Sequence, residues 1–428
     1  MSNFLRVYNK GVKIGELPNR LSRLFSLSWI AGSSEIVLVA AVFVLHSRYW
    51  AVGEHIVHLI IFFLVLSLWL ERKPALANQL KFFLPAAFFV LFLGWLLLSV
   101  AWSGSIRQSL SYAGLVVIAG VTAVMLGMIV GLDRVIRGIV AGVLFLLVHG
   151  LGSPPIYTGT LGLGLFSNQS ELSMPLGVGL LAVVFLFQKG IFPNLIVSAL
   201  TVYFVWAVWA VDILTTVVAV GVALLASIPI WHARRIRKNL RWPLIFGYLA
   251  AAGAAIALFW TNRASLMGLV GLDATFSSRT PIWGWYGEAF MWRPLFGAGW
   301  GNSPGWPPLE RGRIQQVSEF FPAHNGFIDT GLMLGGIGVL ILLGVLISQF
   351  AGGLAALLAP GVSFRYSFIP MLVVYLTLND LMATSLPRSI GIFLMGLVAG
   401  VMLTGITDSN RPKIQKTRPA SVATSRDP

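Results

Sequence analysis

"FFPAHNGFIDTGLMLGGIGVLILLGVLI", from Phe320 to Ile347, joins two kinds of chemistry in one continuous stretch. From Gly326 onward it is apolar at the length a helix needs to cross a bilayer, roughly 20 residues. At its leading edge stand His324, Asn325 and Asp329, followed by Gly331, Gly335, Gly336 and Gly338. A plain anchor needs none of these residues. The stretch therefore reads as a membrane helix whose outer rim carries a site.

The rest of the chain has the same solvent. It is 57% hydrophobic and 11% charged, with a mean hydropathy of +0.83. Soluble domains run at about 45–50% apolar and about 25% charged, so the composition is that of an integral membrane protein. Apolar runs of spanning length lie near 28–46, 52–70, 82–101, 111–131, 135–150, 171–187, 191–210, 213–231 and 242–260, then 326–349, 367–386 and 388–406. The expected fold is all-α, with about 12 transmembrane helices. The runs are continuous, whereas barrel strands would alternate.

The expected organisation is a cytoplasmic N-terminal segment 1–27, nine spanning helices over 28–260, one large periplasmic loop 261–325, three more helices over 326–406 and a cytoplasmic tail 407–428. The first 27 residues are polar and basic and the first apolar run ends without a small-x-small cleavage site, so this run is expected to stay as helix one. The sequence contains no cysteine, which excludes disulfides and thiol chemistry.

Orientation follows from the basic residues. With the N-terminus inside, the outer side holds Arg48, Arg107, Arg263, Arg279, Arg293, Arg311, Arg313 and Arg388, and the rest of the 30 Lys and Arg fall on the inner side. This is the positive-inside pattern, with both termini in the cytoplasm of a bacterial inner membrane. The net charge of +15 is thus a topology signal, and nucleic acid is not an expected partner. The outward cations are all arginine, whose planar fork matches phosphate oxygens. Arg263, Arg279, Arg293, Arg311 and Arg313 all lie in the loop 261–325, which favours phosphate recognition there.

That loop is rich in aromatic residues, with Trp283, Trp285, Tyr286, Trp292, Trp300 and Trp306. Flat faces such as Trp283 and Trp300 beside arginines suit a sugar attached to a phosphate-bearing lipid; an interfacial aromatic belt is the plainer reading. Residues 280–292 are expected to form a short amphipathic helix at the membrane surface, with Pro281 in its first turn. "PLFGAGWGNSPGWPP" reads as a tight turn, and its "GAGWG" lacks the Gly-Lys-Ser/Thr of a P-loop. Gly331 and Gly335 have small-xxx-small spacing, which predicts close approach of a neighbouring helix.

"SSRTPIWGWYGEAFMWRPLFGAGWGN" followed by "AHNGFIDTGLMLGGIGVL" resembles the O-antigen ligase and polymerase superfamily, with the nearest likeness to exopolysaccharide polymerases. The ligase motif is His, then Asn, Ser or Gln, nine residues, then Gly-x-x-Gly-Thr. Here His324-Asn325 precede Gly335-Gly336-Ile337-Gly338 at that spacing, and Val339 replaces the threonine. Arg279 matches the arginine that opens the family's loop. Family members often carry a Ser-Arg or Ser-Lys-Thr element in an earlier helix, where this sequence has "VDILTTVVAV".

The resemblance implies a multi-spanning inner-membrane glycosyltransferase with its active site facing the periplasm. The donor is a glycan on undecaprenyl diphosphate, the acceptor another glycan, and neither metal nor nucleotide cofactor is needed. Membrane lipids and polysaccharide-assembly partners are expected around it. His324 is expected as the base that takes the acceptor's proton, since imidazole titrates near neutrality and the positive end of the following helix favours its neutral form. Arg279 is expected beside it in catalysis, stabilising the departing diphosphate. Arg293, Arg311, Arg313, Arg263, Asn325, Asp329, Trp283 and Trp300 are the expected substrate contacts. Membrane-level acids at Glu35, Asp212 and Asp380, the last with Arg388, are expected to face a protein interior or cavity.

Within this reading the donor's repeat unit is the expected acceptor, which makes a polymerase of exopolysaccharide or O-antigen; transfer to lipid A core would make a ligase. A multi-helix transporter or flippase is the competing class. "GLDRVIRG" at Gly131–Gly138 resembles a transporter loop signature, but no internal repeat accompanies it.

Overall fold

The computed structural model describes residues 27–47, 54–72, 80–151, 169–186, 191–210, 214–236, 238–262, 265, 279–301, 323–359, 364–381 and 389–404. Arg48, Asp212, Arg263, Trp306, Arg311, Arg313 and Arg388 lie outside these residues, as do the N-terminal segment 1–26 and the tail 407–428.

Each apolar run named above contains a helix among its described residues. In chain order α1 is Leu27–Ser47, α2 Glu54–Arg72, α3 Leu80–Leu98, α4 Ile106–Val130 and α5 Leu132–Leu151. Next come α6 Gln169–Val184, α7 Ile191–Ala210, α8 Leu214–Arg235 and α9 Arg241–Thr261. The expected surface helix follows as α10, Arg279–Phe290. Last are α11 Gly326–Leu358, α12 Phe368–Asp380 and α13 Ser389–Leu403. The described residues contain no strand. In hydrocarbon a backbone must satisfy its own polar groups, and long apolar runs do so as helices. Among the described residues, Phe83–Trp102, Ile106–Val130 and Gly326–Leu358 are long and apolar enough to cross a membrane.

Two boundaries differ from expectation. The described part of the run 367–386 is helical over the 13 residues Phe368–Asp380 and is capped at Leu381. The run 326–349 continues to Leu358 as a 33-residue helix.

Packing centres on α13, whose side chains from Ile390 to Met402 are all buried. It lies along α4 with backbone against backbone: a methyl group on Gly127 would strike the carbonyl of Leu397, and one on Gly400 the carbonyl of Val124. Here small residues do bring two helices together. α3 runs antiparallel to α11, with Pro85 near Gly352, Phe88 against Gly344 and Trp95 bonded at Leu334. α1 packs along α5 and α12 along α8.

Glu35, buried in α1, is paired with Arg72 at the end of α2 and Arg134 at the start of α5. Arg365 pairs with Asp133. These groups belong to the end of the bundle opposite His324 in the expected topology. The Glu35 carboxylate thus ties three helices together and takes no part in the rim of α11.

Within α11, Gly335 breaks the helix at φ 69 and ψ −175. The close neighbour at Gly335 is thus the turn at Leu295, whereas Gly331 faces the ring of Phe290 at the end of α10. The break leaves the carbonyls of Leu332, Met333 and Leu334 without their next-turn partners, and other segments supply them. Ala298 N donates to Leu332 O and Gly299 N to Met333 O, both at 2.9 Å. Trp95 Nε1 donates to Leu334 O at 3.0 Å. In return Gly336 N donates to Pro294 O at 2.6 Å and Ile337 N to Leu295 O at 3.3 Å. The turn 294–299 is thereby laced into the broken helix. A side chain at Gly335 would strike the Leu295 carbonyl and one at Gly297, itself at φ 68, would strike Met333, so the glycines of the two motifs serve one another.

Candidate active site

The site begins with how α11 starts. Asn325 is its N-cap, at φ −150 and ψ 109, and its side-chain oxygen accepts from Phe327 N at 3.0 Å and Ile328 N at 3.1 Å. Two of the orphan N–H groups that open any helix are thus satisfied. The same side chain donates through Nδ2 to Leu381 O at 3.1 Å, which joins the end of α12 to this turn.

The preceding residue is under strain. Among the described residues His324 is the one non-glycine with positive φ, at 53. A left-handed conformation costs such a residue about 1–2 kcal/mol, so its surroundings must impose it. They do so through Ala323, held at both ends. Its N–H donates to Asp329 Oδ1 at 3.0 Å, and its carbonyl accepts from Trp283 Nε1 at 3.0 Å. Asp329 is buried in the first turn of α11, where the helix dipole favours a negative charge.

Trp283 belongs to α10, and this bond fixes that helix against the His324 turn. Ile282, Tyr286 and Ala289 recur at helical spacing and bury one face of α10 against Ala323 and Leu332, with Phe290 and Ile328 at its margin. The expected short helix is present, and its apolar face packs on α11. Arg279 is the first residue of α10 and stands one turn before Trp283, on the same side of the helix. Burial lowers the Arg279 pKa, yet a guanidinium stays charged at any working pH. The structure thus gathers Asn325, Asp329 and Trp283 around the His324 turn, with Arg279 at the first residue of the helix that carries Trp283.

Two neighbours complete the site. Gly326 lies so close to the Asp380 carboxylate that any side chain there would overlap it, which sets a fully buried acid at the end of α12 directly beside the His-Asn turn. The sequence marks Asp380 as a membrane-level acid but gives no hint of this neighbour. Tyr286 is the residue that sequence reasoning treats only as an aromatic. It is 5% exposed, and its hydroxyl has no hydrogen-bond partner among the described residues. Burial, and next the charge of Asp329, push its pKa up to about 12, so it remains a neutral phenol.

The other expected contacts fall elsewhere or outside the described residues. Trp300 is buried in the main core, its backbone N–H donating to Ser99 Oγ at 3.0 Å. Arg293 is exposed on the turn after α10, its guanidinium 3.5 Å from the Trp102 carbonyl. Arg263, Arg311 and Arg313 lie in the undescribed part of the loop. In α8, where the family's earlier element would stand, Thr216 is buried and Asp212 is not described.

The site offers a histidine held in a constrained turn, an arginine at a helix start and two buried acids, Asp329 and Asp380. No curated protein matches the chain. Residues 214–343 match a family model described as O-antigen ligase, a segment that holds α8, α9, α10 and the His324 turn and stops short of Asp380. That match supports the O-antigen ligase and polymerase superfamily for the segment that carries Arg279, Trp283 and the His324 turn.

Proposed function

We propose that this chain is an inner-membrane glycosyltransferase that extends exopolysaccharide or O-antigen chains, taking the glycan from an undecaprenyl diphosphate carrier. The carrying observation is the Trp283–Ala323 bond, which holds the helix of Arg279 against the turn of His324 inside the family segment. In this reading about 12 helices span the membrane, both termini are cytoplasmic, and 261–325 is a periplasmic loop.

The chemistry follows from the pair. Neutral His324 takes the proton from an acceptor hydroxyl as its oxygen attacks the anomeric carbon of the donor. The bond from that carbon to the diphosphate oxygen breaks, and the electron pair leaves with undecaprenyl diphosphate. Arg279 meets the negative charge that gathers on the leaving oxygens, an interaction that strengthens toward the transition state. Asn325, Asp329 and Trp283 hold the histidine in place. Arg293, at the edge of the bilayer, and Arg263, Arg311 and Arg313 are further contacts for the donor. No metal or nucleotide is required by these steps.

Transfer to lipid A core is the second reading, favoured by the description of the matching family. Purified protein in lipid, supplied with undecaprenyl diphosphate-linked repeat units, separates the two. A ladder of longer lipid-linked chains that disappears in His324→Ala is the expected result. Growth only when lipid A core is added makes the protein a ligase. No product from folded protein and a competent donor overturns glycosyl transfer and restores the transporter class.

A further inference from the structure

The turn between α10 and the break in α11 shows an apolar surface that no described segment covers. Met291, Trp292, Leu295 and Phe296 are 50–69% exposed within six consecutive residues, on a turn whose backbone is bonded firmly to α11. A mobile loop tip of this composition would be unremarkable. A rigid one presents its side chains to something.

The level of this turn along the bundle identifies that partner. Phe296 stacks on Trp95 with ring centres 5.9 Å apart and meets Trp102 edge-on at 5.7 Å. Trp95 and Trp102 close the outer end of α3, the usual position of interfacial tryptophans. From Gly335 to Leu358, α11 is about 35 Å long at about 1.5 Å per residue, close to the roughly 30 Å of hydrocarbon. The part of α11 before Gly335 then projects out of the membrane, and the turn bonded at the break sits at the hydrocarbon edge. Leu98 on α3 and Leu340 on α11 are likewise exposed. Arg293, set among them, has the reach to lift its charge to the headgroups.

We infer that residues 291–296 are immersed in the outer leaflet, with Met291, Trp292, Leu295 and Phe296 among phospholipid acyl chains. The turn is a depth gauge: it fixes the Arg279–His324 assembly at a set height above the bilayer, where a lipid-linked diphosphate presents its reacting carbon. The inference rests on the proposed topology, with the Gly326 end of α11 outside, and not on the transfer chemistry.

Because the chain has no cysteine, single sites can be labelled without altering any other residue. Met291→Cys and, independently, Leu295→Cys would each carry a nitroxide in vesicles of phosphatidylethanolamine and phosphatidylglycerol. Glu288→Cys, exposed one helical turn earlier, supplies the aqueous reference. Oxygen should relax the labels at 291 and 295 more than a water-soluble nickel chelate does, with the reverse order at 288. Nickel relaxation at both 291 and 295 equal to that at 288 overturns the inference. Repeating the measurement in His324→Ala keeps the two readings apart: depth should be unchanged when transfer is lost, and absent transfer alone leaves the anchor standing.

Discussion

His324 carries two separable burdens, a chemical one in its ring and a conformational one in its backbone. Replacement by glycine relieves the second and removes the first, whereas alanine removes only the ring. His324→Gly should therefore unfold later than His324→Ala by about 0.5–1 kcal/mol, with neither variant making product. Thermal unfolding in detergent beside the transfer assay checks both halves. Tyr286 makes a different test. Its folded pKa of about 12 lies above the ordinary value near 10, so the folded state holds a proton that the unfolded state gives up between those values. Stability from this group is complete below pH 10 and falls as pH rises toward 12, by roughly 1 kcal/mol per pH unit. Tyr286→Phe should be close to neutral at pH 7, since the hydroxyl it deletes has no partner among the described residues, and should flatten the alkaline loss. Unfolding of the two proteins compared from pH 9 to 11 cancels the lysines and arginines they share.

Two elements decide whether the site exists at all. α10 reaches the His324 turn by its buried face and by one indole N–H, and only the second can be removed without emptying the interface. Trp283→Phe should lower kcat about 10- to 100-fold, the usual effect of a small misplacement, with KM for the lipid-linked donor little changed. A large rise in KM instead would make Trp283 a sugar platform, as the sequence alone suggested. The broken helix α11 poses the steric counterpart. Gly335→Ala puts a side chain at φ 69 and against the Leu295 carbonyl, so destabilisation of at least about 2–3 kcal/mol is expected, measurable as a lower unfolding temperature. The spacing of His324 to Gly335 was legible as a motif. Its purpose was not: Gly335 receives the turn 294–299, and that partner lies in a different segment of the chain.

At the scale of the molecule the two ends of the bundle have divided labour. The end that faces outward in the proposed topology holds the strained turn, the buried acid Asp380 and the loop helix. The inner end holds Glu35 between Arg72 and Arg134, whose side chains are 41% and 46% exposed. Glu35→Ala separates three helices but leaves both arginines able to reach water, so the cost should be about 1–3 kcal/mol, below that of breaking a fully buried pair. Product chain length and KM should not move. A change in either would mean that strain at the inner end is felt at His324.

Hydropathy and spacing, both local properties of a chain, suffice to show an all-helical membrane protein and to single out His324 and Asn325 as candidates at the edge of an apolar run, with Arg279 added by the family resemblance. Contacts across long separations were settled only by the tertiary structure. The Trp283 bond joins residues 40 apart, the Asn325–Leu381 bond 56 and the Trp95–Leu334 bond 239. Each uses a backbone carbonyl, which every residue carries, so no side-chain identity announces the partner in advance. Which carbonyl is taken depends on where a helix breaks and what packs into the break, and that is decided when the whole bundle closes.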